Sequence, residues 1–184
     1  MTELRKPDDN QKLLIQIIKR FDTYINASNA KIAVILSYCM AYIGGLGFKL
    51  VDISDKHNHN TSWWFLIGVC STSIIATLWA ARFAYLALRP QVPSGRAPHE
   101  APSVLFFGDV ASHPGGRDGY LASIEQLTDK DVIRDLAQQA HTLAAIAKTK
   151  FALIDNATQW LAYVQIPMFA LILVQLLTLP CGNT

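Results

Sequence analysis

Apolar and polar positions along the chain fall into two kinds of pattern, a helical period in its polar parts and three long runs without charge. Leu14, Ile17, Ile18, Phe21 and Ile25 recur at three- and four-residue steps, with Lys12, Lys19, Arg20 and Asp22 elsewhere, which predicts an amphipathic helix. Pro7 followed by Asp8 and Asp9 supplies its start. The uncharged blocks Ile32–Phe48, Thr61–Ala81 and Asn156 onward form the centres of three spans, at about 32–48, 62–86 and 160–179. A bilayer core about 30 Å thick needs roughly 20 apolar residues of helix, and the second and third runs reach that length. The first is shorter, but Lys31 and Lys49 flank it with stems that can reach the interfaces.

Between the second and third runs, Val104-Leu105-Phe106-Phe107 makes a short apolar island closed by Gly108-Asp109, and a glycine-rich loop follows. Then Val132, Ile133, Leu136, Ala140, Leu143, Ile146/Ala147, Phe151 and Ile154 trace one apolar stripe along a long helix. Thr128, with Asp131 three residues on, gives it an N-cap and acidic charge in the first turn. No Gly or Pro separates Val132 from Trp160, so this helix should flow into the third span and serve as a lever. Residues 90–102 are a proline-rich linker, and Pro167 should interrupt the third span.

The expected fold class is an all-α membrane protein with three transmembrane helices, an N-terminal amphipathic helix and a long cytosolic helix leading into the third span. Its parts are the cytosolic amphipathic helix 1–31, the transmembrane hairpin 32–88, the cytosolic linker and sensing helix 89–155, and the third span with a short outer tail, 156–184. Small residues recur every four positions in the first span, at Ala33, Ser37, Ala41 and Gly45. They do so again in the second, at Gly68, Thr72, Ala76, Ala80 and Ala84. Such stripes let helix backbones approach closely in lipid, within a chain or between chains, and point to a homo-oligomer.

Composition supports the membrane reading: 51% of the 184 residues are hydrophobic and 16% charged, against about 25% charged in soluble domains. A net charge of +2 gives no footprint for nucleic acid. Lys and Arg crowd before the first span and between the second and third, which places the N-terminus and residues 89–155 in the cytoplasm and the C-terminus outside. Cys39, Cys70 and Cys181 show neither metal nor redox spacing, and Asp52, Asp55, His57 and His59 read as a solvated turn. No catalytic constellation stands out, so an enzyme is not expected, and spans read as free of charged residues disfavour a dedicated carrier. In the cytosolic stretch, Gly115-Gly116-Arg117 has the parts of an anion site. Lys148 and Lys150 are further candidate phosphate partners, and Phe106 or Phe107 is a candidate platform for a base.

The order of motifs resembles a known family. Val104-Leu-Phe-Phe-Gly-Asp-Val-Ala111, Tyr120-Leu121, Asp135-Leu-Ala-Gln-Gln-Ala-His141, Ile146-Ala-Lys148, Lys150 and Leu153 are similar to the transmembrane effectors of bacterial Pycsar anti-phage systems. The similarity runs from about Phe21 to the third span and is sharpest over 104–154. Ala27-Ser-Asn-Ala-Lys31 resembles the pattern before the family's first span, with Asn29 where an aspartate is expected. The resemblance implies a bacterial inner-membrane protein whose partner, a pyrimidine nucleotide cyclase, makes a cyclic mononucleotide, cUMP or cCMP, when phage infects. The effector binds it as an activating ligand, without a cofactor, and impairs the inner membrane before phage is released. The alternative, from a different class, is a non-lytic scaffold or accessory subunit of another membrane complex.

Overall fold

The computed structural model describes residues 6–54, 61–89 and 103–178, and their regular structure is entirely helical. Asp55, His57 and His59 of the polar turn, the linker 90–102 and Cys181 lie outside the described residues. Three helical stretches are long and apolar enough to cross a membrane: Pro7–Val51, Thr61–Leu88 and Asp129–Leu177. The chain is an all-α membrane protein.

The amphipathic helix and the first span are one 48-residue helix, α1, Pro7–Ser54. Pro7 sits in the first turn, where a missing N–H costs nothing, and Asp8 and Asp9 lie at the positive end of the helix. Leu14, Ile17, Ile18, Phe21 and Ile25 are half-buried, as their period predicts, while Leu13 and Ile15 beside them are exposed. The buried line then runs on through Ser28, Ile32, half-buried Ile35 and Cys39 in steps of four, three and four. In α2, Thr61–Leu88, it follows Leu66, Cys70, Ser73, Thr77, Ala80, Ala84 and Ala87, again in fours and threes. A seven-residue repeat of this kind keeps one face turned to its neighbours.

That period decides which small residues pack. Steps of four advance about 40° around a helix each time, so a stripe drawn every fourth residue winds off the buried face. Ala76, Ala80 and Ala84 are buried, but Gly68 and Thr72 are exposed. Ala33, Ser37, Ala41 and Gly45 all lie on the exposed face of α1, and a Cβ on Gly45 would meet nothing within 4 Å.

Two compact units divide the described residues: 6–27 with 103–148, and 28–89 with 149–178. In the first, Gln11 Nε2 donates to Asp129 Oδ1 at 3.4 Å, between α1 and the start of α5, Asp129–Trp160. Two short helices, α3 (Phe107–Ala111) and α4 (Gly116–Glu125), precede α5. Thr128 caps α5 as expected: the Asp131 N–H donates to Thr128 Oγ1 at 3.4 Å and the Thr128 N–H to Asp131 Oδ2 at 3.3 Å. The α5 stripe holds through Leu136, Ala140, Ala147, Ile154 and Ala157, with one correction. Phe151 is 41% exposed, because the step of three from Ala147 brings Lys150 to the buried position instead.

The second unit is built in layers. Ile32, Ala84, Ala87, Ile154 and Ala157 form one apolar cluster, and Leu66, Cys70 and Ile172, backed by Leu46 and Leu176, form the other. Arg82 qualifies the picture of spans without charge. It falls inside 62–86, two turns or fewer from the end of α2, with its guanidinium 5.0 Å from the Trp79 ring centroid.

The interruption expected at Pro167 is present one turn earlier, as a π-helical turn, Leu161–Gln165, followed by α6, Ile166–Thr178. Proline has no N–H, and its ring crowds the carbonyl four residues back, here Tyr163, so a wider turn at that point relieves the clash. The wider turn also absorbs one residue. Inward positions step by four from buried Ala157 to half-buried Leu161 and by four again to buried Gln165, then resume the mixed steps to Ile172. Without the extra residue, the seam beyond Pro167 would turn away from α2.

Candidate functional site

The apolar island of the first unit, the water-side unit (the second, which holds both apolar clusters, being the membrane unit), is held by carboxylates. Ser103 Oγ donates to Asp135 Oδ1 at 2.6 Å, and the Val104 N–H donates to Asp135 Oδ2 at 3.0 Å. The Ser103 N–H donates to Asp109 Oδ2 at 2.9 Å. Ser103 Oγ in turn accepts from the N–H groups of Leu105 (3.1 Å) and Phe106 (2.9 Å), and Tyr120 OH donates to the Val104 carbonyl at 2.9 Å. Backbone outside a helix must find partners elsewhere, and here half-buried Asp135, beside Leu136 on the α5 stripe, provides them. The sequence signal was a carboxylate at the edge of an apolar stripe, which periodicity alone reads as solvated.

Phe106 and Phe107 pack together, ring centroids 4.9 Å apart and tilted by 47°. Phe107 is 69% exposed and offers a free ring face. Phe106 is half-buried, and its ring needs the adjacent glycine, since a Cβ on Gly108 would stand 2.8 Å from Phe106 Cε1. The loop that follows is closely built. Gly115 (φ 82°) and Gly116 (φ 62°) take left-handed conformations that other residues avoid, and a Cβ on Gly119 would stand 2.4 Å from the Pro114 carbonyl oxygen. The Gly116 N–H is committed to the His113 carbonyl at 2.9 Å, so it is not a free anion donor. His113 spans the loop, with Nδ1 2.8 Å from the Pro114 carbonyl and Nε2 3.2 Å from Ser123 Oγ. Arg117 and Lys148 are exposed. Asp131, outside the spans, has its carboxyl held below the usual range, first by the Thr128 hydroxyl and then by the Thr128 N–H.

Lys150 belongs to the other unit. It is 6% exposed, and its ammonium donates to Asn29 Oδ1 and to the Ala87 carbonyl, each at 2.8 Å. The last carbonyls of α2 lack partners within their helix and carry its negative end, which suits a cation. One side chain thereby joins α1, α2 and α5, a role that a count of basic residues does not reveal. The structure brings Phe106 and Phe107 together, and Lys150 takes its partners within the other unit.

Between the two apolar clusters of the membrane unit lies a thin polar layer. Tyr38 OH donates to Gln165 Oε1 at 2.9 Å, and the Tyr42 hydroxyl meets Ser73 Oγ at 2.6 Å. Tyr38 and Tyr42 stack at 6.1 Å, and Tyr42 meets Phe169 edge-on at 5.6 Å. Thr77 Oγ1 donates to the Ser73 carbonyl at 2.8 Å. Gln165 is 0% exposed, and its Nε2 has no acceptor among the described residues.

A family model described as the Pycsar effector protein domain matches residues 13–179. The Pycsar effector protein EcPycTM of Escherichia coli is 25% identical over 163 residues, covering 86% of each chain. No solved structure matches.

Proposed function

The chain belongs to the Pycsar effector protein domain family, and on that premise we propose that it is the membrane effector of a two-gene Pycsar antiviral system. A partner cyclase makes a cyclic pyrimidine nucleotide, cUMP or cCMP, on infection. The nucleotide engages the water-side segment from Ser103 to Lys148, and the spans then impair the inner membrane, so that the cell stops before phage is released. The role is non-enzymatic, and copies of the chain associate through the exposed small-residue face of α1.

The observation that carries this reading is α5. Its residues to Lys148 belong to the water-side unit and those from Thr149 to the membrane unit, in one helix with no break. A displacement at one end can reach the other. A ligand can bias such an equilibrium only by binding the two states differently, so the groups that touch it must change contacts. Phe107 is the platform for the base, and Arg117 and Lys148 are the phosphate partners. Lys150 couples the helices instead, being buried with two of its three donors engaged.

The test is membrane potential in inverted inner-membrane vesicles containing the protein, whose cytosolic face is outward. Addition of cUMP or cCMP should collapse a respiration-driven potential, and cAMP should not. A potential that survives every cyclic nucleotide overturns the effector reading.

A further inference from the structure

Three facts converge on the middle of the membrane unit. On all three helices the order is the same: an apolar cluster, a polar position, an apolar cluster. Along α1 it runs Ile32, then Tyr38 and Tyr42, then Leu46; along α2, Leu66, then Ser73 and Thr77, then Ala84; along the third span, Ile154, then Gln165, then Ile172. Next, the π-helical turn ends at Gln165, in the polar layer itself. Irregular backbone at membrane depth is tolerated where protein or a water-lined cavity can satisfy it. Finally, the Gln165 carboxamide is fully buried and its nitrogen has no acceptor among the described residues, although its oxygen is bound by Tyr38. A polar atom in hydrocarbon demands a partner, and nothing in the apolar packing needs a glutamine there.

We infer that this layer is the water-bearing middle of a permeation route through the membrane unit, shut at rest by the apolar cluster on either side. This rests on the effector reading above and names its means: membrane impairment by a narrow leak of water and monovalent ions, not by breaking up the bilayer. Hydroxyls and a carboxamide can replace part of an ion's hydration shell, and apolar constrictions close such a route by excluding water. The layer holds no charged side chain, so the leak discriminates little by sign. Movement of the third span at its π-helical turn would part the Gln165–Tyr38 bond and admit water between the clusters. Water there would supply an acceptor for the carboxamide nitrogen.

The experiment uses the full chain in phosphatidylethanolamine–phosphatidylglycerol vesicles, with cUMP and cCMP as probes, and follows potassium flux, release of a 4-kDa dextran and nucleotide binding. Wild type should pass potassium and retain dextran. Gln165→Leu should bind nucleotide as wild type does, with potassium flux reduced by at least about tenfold. Gln165→Glu should restore flux and shift the reversal potential in a potassium chloride gradient toward that of potassium. Dextran released as fast as potassium, wild-type flux from Gln165→Leu, or an unshifted reversal potential in Gln165→Glu overturns the route while leaving the effector reading in place. Vesicles that leak nothing with either nucleotide overturn both. A Gln165→Leu protein that no longer binds nucleotide makes Gln165 a folding residue and also counts against the route.

Discussion

The two units solve the same problem, satisfying backbone and burying apolar surface, by different means. In the water-side unit, the short helices and connecting loops leave many N–H and C=O groups outside any helix. Side chains answer for them: Asp135 and Asp109 at the apolar island, Thr128 with Asp131 at the start of α5, and His113 across the glycine loop. Its apolar side chains are mostly half-buried. In the membrane unit the helices pair most of their own backbone, and side-chain help is seen at the helix end, where Lys150 meets the Ala87 carbonyl. There, packing of small and branched side chains sets the structure, and the buried polar residues are Ser73, Thr77 and Gln165 in one layer, with Ser28 and Lys150 outside it. A unit held by directed polar bonds can be rearranged by a polar ligand, whereas a unit held by packing must be moved through its helices.

The largest effect should come from cutting the mechanical link. Inserting Gly-Gly after Asn156 costs about 2 kcal/mol of helix propensity in the part of α5 that belongs to the membrane unit. It should abolish nucleotide-triggered depolarisation and leave nucleotide affinity unchanged by calorimetry. Undiminished depolarisation would break the lever.

Asp135→Ala should come next. It strands the Ser103 hydroxyl and the Val104 N–H, a loss of roughly 2–3 kcal/mol confined to the water-side unit, or about a hundredfold faster amide exchange at Val104–Phe106. Exchange in α2 and α6 should not change. If it does, the two units do not differ in the way described.

Gly45→Leu probes the face that packs nothing within the chain. A leucine there meets open space, so folding should be unaffected. Self-association in detergent should weaken about tenfold, a change of roughly 1.4 kcal/mol, measured by sedimentation. Unchanged association would make the stripe incidental.

Tyr38→Phe removes one interhelical hydrogen bond in lipid, worth about 0.6 kcal/mol. Its effect on unfolding in mixed micelles should be well below that of Asp135→Ala, which sharpens the contrast between polar bonding and packing.

The smallest effect is a pH dependence. The Asp131 carboxyl titrates below its ordinary value in the folded chain, chiefly through Thr128. The cap is therefore fully present above about pH 3.8 and fades as the pH falls through the lower folded value. Amide signals at 128–132 should report this loss, and Asp131→Asn should abolish the pH dependence.

Helices, spans and the α5 cap were legible in the sequence because each rests on local physics. The period of Leu14 to Ile25, the uncharged blocks and the Thr128–Asp131 spacing act within a few residues of themselves. What sequence could not decide was which of several plausible stripes faces inward. Ala33 to Gly45 and Ile32 to Cys39 are both regular, and only neighbouring helices, which impose steps of three and four, select the second. Pro167 announced an interruption, but the π-helical turn that keeps Gln165 and Ile172 on the buried side follows from packing against α2. Lys150 stood among exposed-looking basic residues, and Asn29 and Ala87 meet it only because three helices converge there. Short-range hydrogen bonding and hydrophobic period are written along the chain. The partners of a buried polar group lie far along it, and tertiary structure alone brings them within bonding distance.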